Sequence, residues 1–234
     1  MNRAGEAILQ HLGAVRVERA VRAADTSLAE RVRQVKRYQQ ARFAHTYADL
    51  LNHPRYVGAA RFFLDDLYGP GDFSQRDAQF ARIVPALVRL FPEEVAATVE
   101  ALTALHALSE QLDSEMGRHV DTMPMTAAAY VTAWRRTGRP AGRQRQIELM
   151  VEVGRALDVY TRRPLLRHSL RMMRVPARGA GLSELQSFLE EGFDTFRAMH
   201  GADEFLTQIA QRERSLTASL FGAEAAGDPL VQLP

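Results

Sequence analysis

Apolar residues recur at three- and four-residue intervals along almost the whole chain, and no stretch alternates apolar with polar positions between two turn dipeptides. The first pattern is that of a helix with one buried face and the second would mark a strand, so the sequence predicts an all-α protein. A first helix is expected from about Ala4 to Ala24, with Ile8, Leu12 and Val15 on its inner face, interrupted at Asp25 and Thr26. Ser27 followed three residues later by Glu30 matches a capping box, in which hydroxyl and carboxylate satisfy free backbone donors, so a second helix should run from there to about Asn52. Pro54 opens a third helix through Phe62, Phe63 and Tyr68, which Gly69, Pro70 and Gly71 turn.

A fourth helix, capped by Asp72 or Ser74, contains Pro85; a fifth starts at Pro92, Glu93 and Glu94 and extends to His119. Thr126 caps a sixth that ends at Gly138. A long basic helix from about Gly142 to Arg162 and a short one beginning at Pro164 follow. Pro176 to Gly181 reads as a loop, and Ser183 with Gln186 as a second capping box. The last helix spans about Asp203 to Leu220. The expectation is a compact multi-helix bundle of about nine or ten helices, with 1–221 as a single domain and 222–234 as a loose tail.

With 234 residues, 46% of them hydrophobic, the chain can bury a large interior unaided. It has no cysteine, which excludes disulfides, thiolate metal sites and cysteine nucleophiles. Met1 to Ala14 is amphipathic and unlike a secretory signal, and no apolar run approaches the roughly 20 residues of a membrane helix, so a cytoplasmic location without membrane contact is expected.

The net charge of +2 conceals alternating blocks. Residues 1–61 carry 11 basic and 5 acidic groups, 62–134 carry 4 and 11, 135–178 carry 12 and 3, and 179–234 carry 3 and 9. Blocks of opposite sign can neutralise one another across helix interfaces, or leave a basic face for a polyanion. All but one of the 30 basic residues are arginine; Lys36 is the exception.

The segment Phe62, Phe63, Leu64, Leu67, Tyr68, Gly69, Asp72, Phe73, Arg76 and Asp77 resembles a group of uncharacterised helical bacterial proteins. The resemblance covers most of the chain, including Gly181, Leu182, Leu185, Gln186, Phe188 through Glu190, Gly192 and Phe193. It implies a helical fold and carries no activity.

Four constellations could carry chemistry. The glycine turn delivers Tyr68, Asp72, Arg76 and Asp77 to a helix start, where the arginine can grip a carboxylate or phosphate under the tyrosine, or be spent on Asp72, Asp65 or Asp66. His45, Asp49 and His53 share one helical face, as do His106, Glu110 and Asp113, and two such faces meeting would supply ligands for iron, manganese or zinc. The Glu-x-x-His spacing of di-iron bundles is absent. His106, among Leu102, Leu105 and Leu108, can also be read as an axial haem ligand. The arginines of 135–178 can bind a polyanion, although only Trp134 and Tyr160 lie near for base stacking and no helix-turn-helix is evident, which disfavours nucleic acid. No elbow serine, phosphate loop or dinucleotide fingerprint occurs.

The leading expectation is a non-catalytic bundle that binds a small ligand or a protein partner beside the Tyr68–Asp77 turn. A metal- or haem-dependent oxidoreductase or sensor is the alternative, and polyanion binding the third. Whether the chain is an enzyme, which cofactor it takes and its oligomeric state stay open in the sequence.

Overall fold

The computed structural model describes residues 2–67, 71, 73–222 and 227–234. The structure is 83% helical and has no strand among the described residues, which establishes the all-α fold. Helix α1 (Arg3–Ala24) is capped by Asn2, whose side chain accepts the Gly5 N–H at 3.0 Å. The turn into α2 (Thr26–Thr46) is made by Asp25 alone: its N–H closes α1 on the Arg22 carbonyl, and its carboxylate accepts the Leu28 N–H at 3.0 Å. The expected Ser27–Glu30 box is therefore unused, because a better acceptor stands two positions earlier; Glu30 binds Gln34 and Arg33 instead.

The next region departs further from expectation. The second helix stops at Thr46, a short α3 (Ala48–Leu51) follows, and Pro54 lies in a turn ahead of α4 (Val57–Phe62). From α4 the chain continues as a π-helical turn, Phe63–Leu67. Helix α5 (Ser74–Leu90) remains one helix through Pro85. Helices α6 (Glu93–Arg118), α7 (Ala127–Thr137), α8 (Pro140–Thr161) and α9 (Pro164–Met172) match the sequence reading, with Thr126 capping α7 through Ala129 N–H and Gly138 ending it at φ +65°.

Pro176 to Gly181 is not the expected loop. Helix α10 (Arg174–Gly179) occupies most of it, because Pro176 falls in the first turn, where a helix needs no N–H donor. At the start of α11 (Ser183–Ala198) the second capping box is also unused: the Leu185 N–H is taken by the Gln79 side chain at 3.0 Å, and Gln186 reaches the Leu170 carbonyl and Glu190. Helix α12 (Asp203–Leu220) is as expected. The last residues are not loose: Pro229–Gln232 form a 3-10 turn and Leu233, 6% exposed, joins the core.

Helix α6 is the central element, packed against α1, α2, α5, α7 and α8. Four apolar clusters of described residues surround it, the smallest being Ala101 of α6 with Leu149 and Val153 of α8. One gathers Phe43, Tyr47, Phe63, Met150, Phe196 and Phe205; a second Val35, Met116, Tyr130, Trp134, Leu220 and Leu233; a third Ile8, Leu12, Phe80, Val84 and Leu185. Two glycines permit close approach: a Cβ on Gly117 would stand 2.5 Å from Val32 Cγ2, and one on Gly154 2.5 Å from Leu206 Cδ2. No helix among the described residues is long and apolar enough to cross a membrane.

Candidate functional site

Three helices each bring charged side chains to one place. On α6, His106, Glu110 and Asp113 follow one another at i, i+4 and i+7 and so share a face; Arg19 and Arg22 on α1, and Lys36 and Gln39 on α2, are single-turn pairs aimed at it. Glu110 is the hub. Its Oε2 accepts from Arg22 Nη2 at 2.5 Å, its Oε1 from Lys36 Nζ at 2.8 Å, and Arg19 Nη2 lies 3.6 Å from Oε1. Arg22 also donates to Ser114 Oγ at 3.1 Å. Arg19 Nη1 reaches Asp77 Oδ2 at 2.9 Å, and His106 Nε2 meets the same oxygen at 2.9 Å. The same Nε2 also stands 3.4 Å from Arg19 Nη2, so one ring nitrogen meets both members of the Arg19–Asp77 pair.

The two α6 carboxyls are driven in opposite directions. Burial alone would raise Glu110, but Lys36 and Arg22 together outweigh it and hold the carboxyl at about 2. Asp113 is raised by burial, against the pull of Lys36 and with the Glu110 charge adding to the rise; its one short side-chain contact is the Gln39 amide at 3.1 Å, Lys36 being 3.9 Å away.

Beside this network lies a cavity of about 90 Å³ between α1, α2, α5, α6, α8 and α11. Lys36, Arg76, Asp77, His106, Glu110 and Asp113 form its polar wall, and Leu12, Phe80, Leu102, Leu105, Leu185 and Phe188 its apolar one. Arg76 is held differently from the other cations. Its guanidinium is sandwiched between the rings of Phe73, 4.1 Å from the centroid, and Phe188, 4.3 Å. It donates one hydrogen bond, from Nη1 to the Asp66 backbone carbonyl at 3.2 Å, which the π-helical turn presents. Among the described residues no carboxylate forms an ion pair with it, and burial lowers its pKa. Across the site four cations (Arg19, Arg22, Lys36 and Arg76) face three carboxylates (Asp77, Glu110 and Asp113). Of these cations Lys36 and Arg76 line the cavity itself, and Lys36 is already paired with Glu110.

Arg76 and Asp77 of the first constellation line the cavity; Tyr68 and Asp72 lie outside the described residues. Arg76 is not spent on the Asp65 or Asp66 carboxylate. His106, Glu110 and Asp113, placed in a separate constellation by the sequence, line the same cavity. Their expected companions do not join them. His45 faces Thr46, Arg212 and Gln232 on another surface; Asp49 is gripped by Arg212 through both oxygens at 2.7 and 2.6 Å; His53 lies beyond the end of α3, stacked on Tyr56. Because the helix breaks at Tyr47, helical spacing does not extend across the three. Among the described residues no group of three or more histidines and carboxylates is arranged to hold a metal ion. A haem does not fit either: the cavity falls well below the roughly 300–1,000 Å³ of sites for drug-sized ligands, and His106 Nε2 is engaged by Asp77.

Most arginines of 135–178 are paired. Arg139 binds Glu115 at 2.9 Å, Arg162 Asp158 at 2.6 Å, Arg167 Asp194 at 2.8 Å and Arg174 Glu190 at 2.6 Å, while Arg136 meets Asp121. Arg143 is buried over the face of Trp134 at 3.9 Å.

Sequence reasoning missed Arg19, Arg22, Lys36 and Gln39. One signal was available: Lys36 is the sole lysine in an arginine-rich chain, and it stands where a compact ammonium fits between Glu110 and Asp113.

No curated protein and no solved structure matches this chain. A family described as a domain of unknown function, DUF8198, matches residues 18–227, a span that includes every residue of the charged network and the cavity wall except Leu12. The chain therefore belongs to the DUF8198 family.

Proposed function

We propose that this chain is a binding protein for a small molecule with one carboxylate or phosphate group and a short apolar part, held in the cavity between α1, α2, α5, α6, α8 and α11. The observation that carries the reading is Arg76, a cation clamped between two aromatic rings on the cavity wall and given only a backbone carbonyl as partner among the described residues. Arg19, Arg22 and Lys36 are committed to Asp77 and Glu110, so Arg76 is the cation left to meet a ligand. Leu12, Phe80, Leu102 and Leu105 are placed for the apolar part. Size is limiting: roughly 150 Å³ admits benzene in an engineered cavity, so about 90 Å³ suits a ligand smaller than a six-carbon ring. The six residues that a metal-dependent redox site would need occupy two separate neighbourhoods.

The test is thermal unfolding of the purified chain with inorganic phosphate and a series of short carboxylates, acetate to pentanoate, at constant ionic strength. At least one should raise the midpoint in a saturable way, by an amount that grows with the logarithm of concentration. Arg76→Met, which keeps an unbranched side chain between the two rings, should abolish the rise and keep the fold. Equal responses of wild type and Arg76→Met, or no saturable response to any of these anions, would sink the proposal.

A further inference from the structure

Away from the cavity, the stretch from Arg162 to Arg178 carries a surface of unusual composition. Helix α9 has no fully buried side chain. Its inner side, Leu166 and Leu170, is half-buried, and the helix packs on α8, α10 and α11. Its outer side turns apolar residues to water: Leu165 is 80% exposed and Met172, one heptad on and on the same face, 66%. Met173 and Val175, 51% and 77% exposed, continue the patch into α10. Among the described residues the other large exposed apolar side chains stand singly or in pairs, such as Val17 with Val21 and Leu90 with Phe91.

Charge surrounds this patch. Between residues 162 and 178 there are six arginines and no acidic residue. Neighbouring elements supply Asp158, Glu190 and Asp194 as counter-charges, which leaves an excess of three positive charges. Arg163, lying over the Tyr160 ring, and Arg178 make no ion pair among the described residues. Apolar tips ringed by long cationic side chains are the physical signature of a helix lying in a bilayer interface, where the tips enter the acyl boundary and the guanidinium groups reach the headgroups. The apolar anchors here are Leu, Met, Met and Val. What selects an anionic bilayer as the occupant is the excess of cationic side chains around these tips.

From this exposure and charge we infer that the α9–α10 face docks on the surface of an anionic lipid bilayer, as a peripheral contact independent of the cavity. It departs from the expectation of no membrane contact. Each basic residue near such a surface favours binding roughly fivefold, so three uncompensated charges give a preference of roughly a hundredfold for anionic over zwitterionic vesicles at low salt.

The experiment is co-sedimentation of the full chain with vesicles of phosphatidylcholine alone and with 30% phosphatidylglycerol. Binding should require the anionic lipid and weaken with added salt. It should be lost in Leu165→Asp/Val175→Asp, whose far-ultraviolet circular dichroism stays native because both positions are exposed. Arg163→Ala/Arg178→Ala, which leaves the apolar tips in place, should weaken it by an order of magnitude or more. The inference is overturned by no sedimentation with either vesicle, which would leave a protein as the occupant. Equal binding to both vesicles overturns it as well, as does binding that survives the double aspartate variant. Salt-sensitive retention on heparin without vesicle binding would assign the arginines to a soluble polyanion instead.

Discussion

Glu110 and Asp113 lie three residues apart on one helix, both buried, yet neutralising them should move stability in opposite directions. Glu110 is held at about 2 where an ordinary glutamate titrates near 4.5, by Lys36 and Arg22 working against burial. At ~1.4 kcal/mol for each tenfold change in proton affinity, that difference corresponds to about 3 kcal/mol of folding stability. The folded value is the lower one, so the contribution is complete above about pH 4.5 and disappears as the pH falls toward 2. Glu110→Gln keeps the shape but leaves Arg22 and Lys36 buried without their counter-charge, and should cost about 3 kcal/mol at pH 7. Asp113 is raised, chiefly by burial, so its ionised form weakens the fold at neutral pH. Asp113→Asn retains an acceptor for Gln39 and should be neutral or stabilising at pH 7, an advantage that shrinks as acid protonates the wild-type carboxyl. Urea unfolding of wild type and both variants from pH 7 down to pH 3 measures this directly. The reasoning fails if Glu110→Gln stays within about 1 kcal/mol of wild type at pH 7, a cost well below that expected for a broken buried pair. It also fails if the Glu110→Gln deficit does not narrow with acid, or if Asp113→Asn is as destabilising as Glu110→Gln.

Four further substitutions probe the packing and one buried hydrogen bond. Gly117→Ala sets a methyl against Val32, whose branched side chain has few rotamers to retreat to, and should destabilise by about 1–2 kcal/mol, whereas Gly13→Ala on α1 meets nothing within 4 Å and should gain about 0.5–1 kcal/mol; paired denaturation curves decide. Leu233→Ala should cost about 1–2 kcal/mol by chemical denaturation, below the usual price of a core leucine because the terminal turn can separate without the rest. Tyr47→Phe removes a hydroxyl that donates to Glu213 Oε1 at 2.7 Å and should cost about 2 kcal/mol, read as a shift in the urea midpoint at constant slope.

Much of the fold was legible because it is written in short-range chemistry. Thr126, Gly138 and Pro164 mark helix ends that need no tertiary partner, and the structure places the ends there. Some errors are local, as where Asp25 takes the cap expected of Ser27, and others occur where a distant residue intervened. Ser183 satisfies a local capping pattern, but Gln79, over a hundred residues earlier, takes the Leu185 N–H. The sequence from Gly222 onward reads as a loose tail, and nothing near Leu233 in sequence announces the Tyr130–Trp134 cluster that receives it. The site was legible in fragments. Arg76 and Asp77 were singled out for the turn before them, and His106, Glu110 and Asp113 for their helical spacing. The link between the two groups is the Asp77–His106 contact, which depends on how α5 crosses α6 and leaves no trace in either local sequence. The companion triplet fails for a local reason instead: a break at Tyr47 shifts the face on which His53 would have stood.

Trp134 is the only tryptophan, and it lies in the apolar cluster that α7, the end of α12 and the C-terminal turn build against Val35 of α2 and Met116 of α6. Its emission therefore observes one lobe of the interior, while circular dichroism sums over every helix. Where the two unfolding curves coincide, the interior melts as one cooperative unit; where the fluorescence curve runs ahead, the lobe that receives the chain's end gives way while the network around Glu110 still holds its helices together.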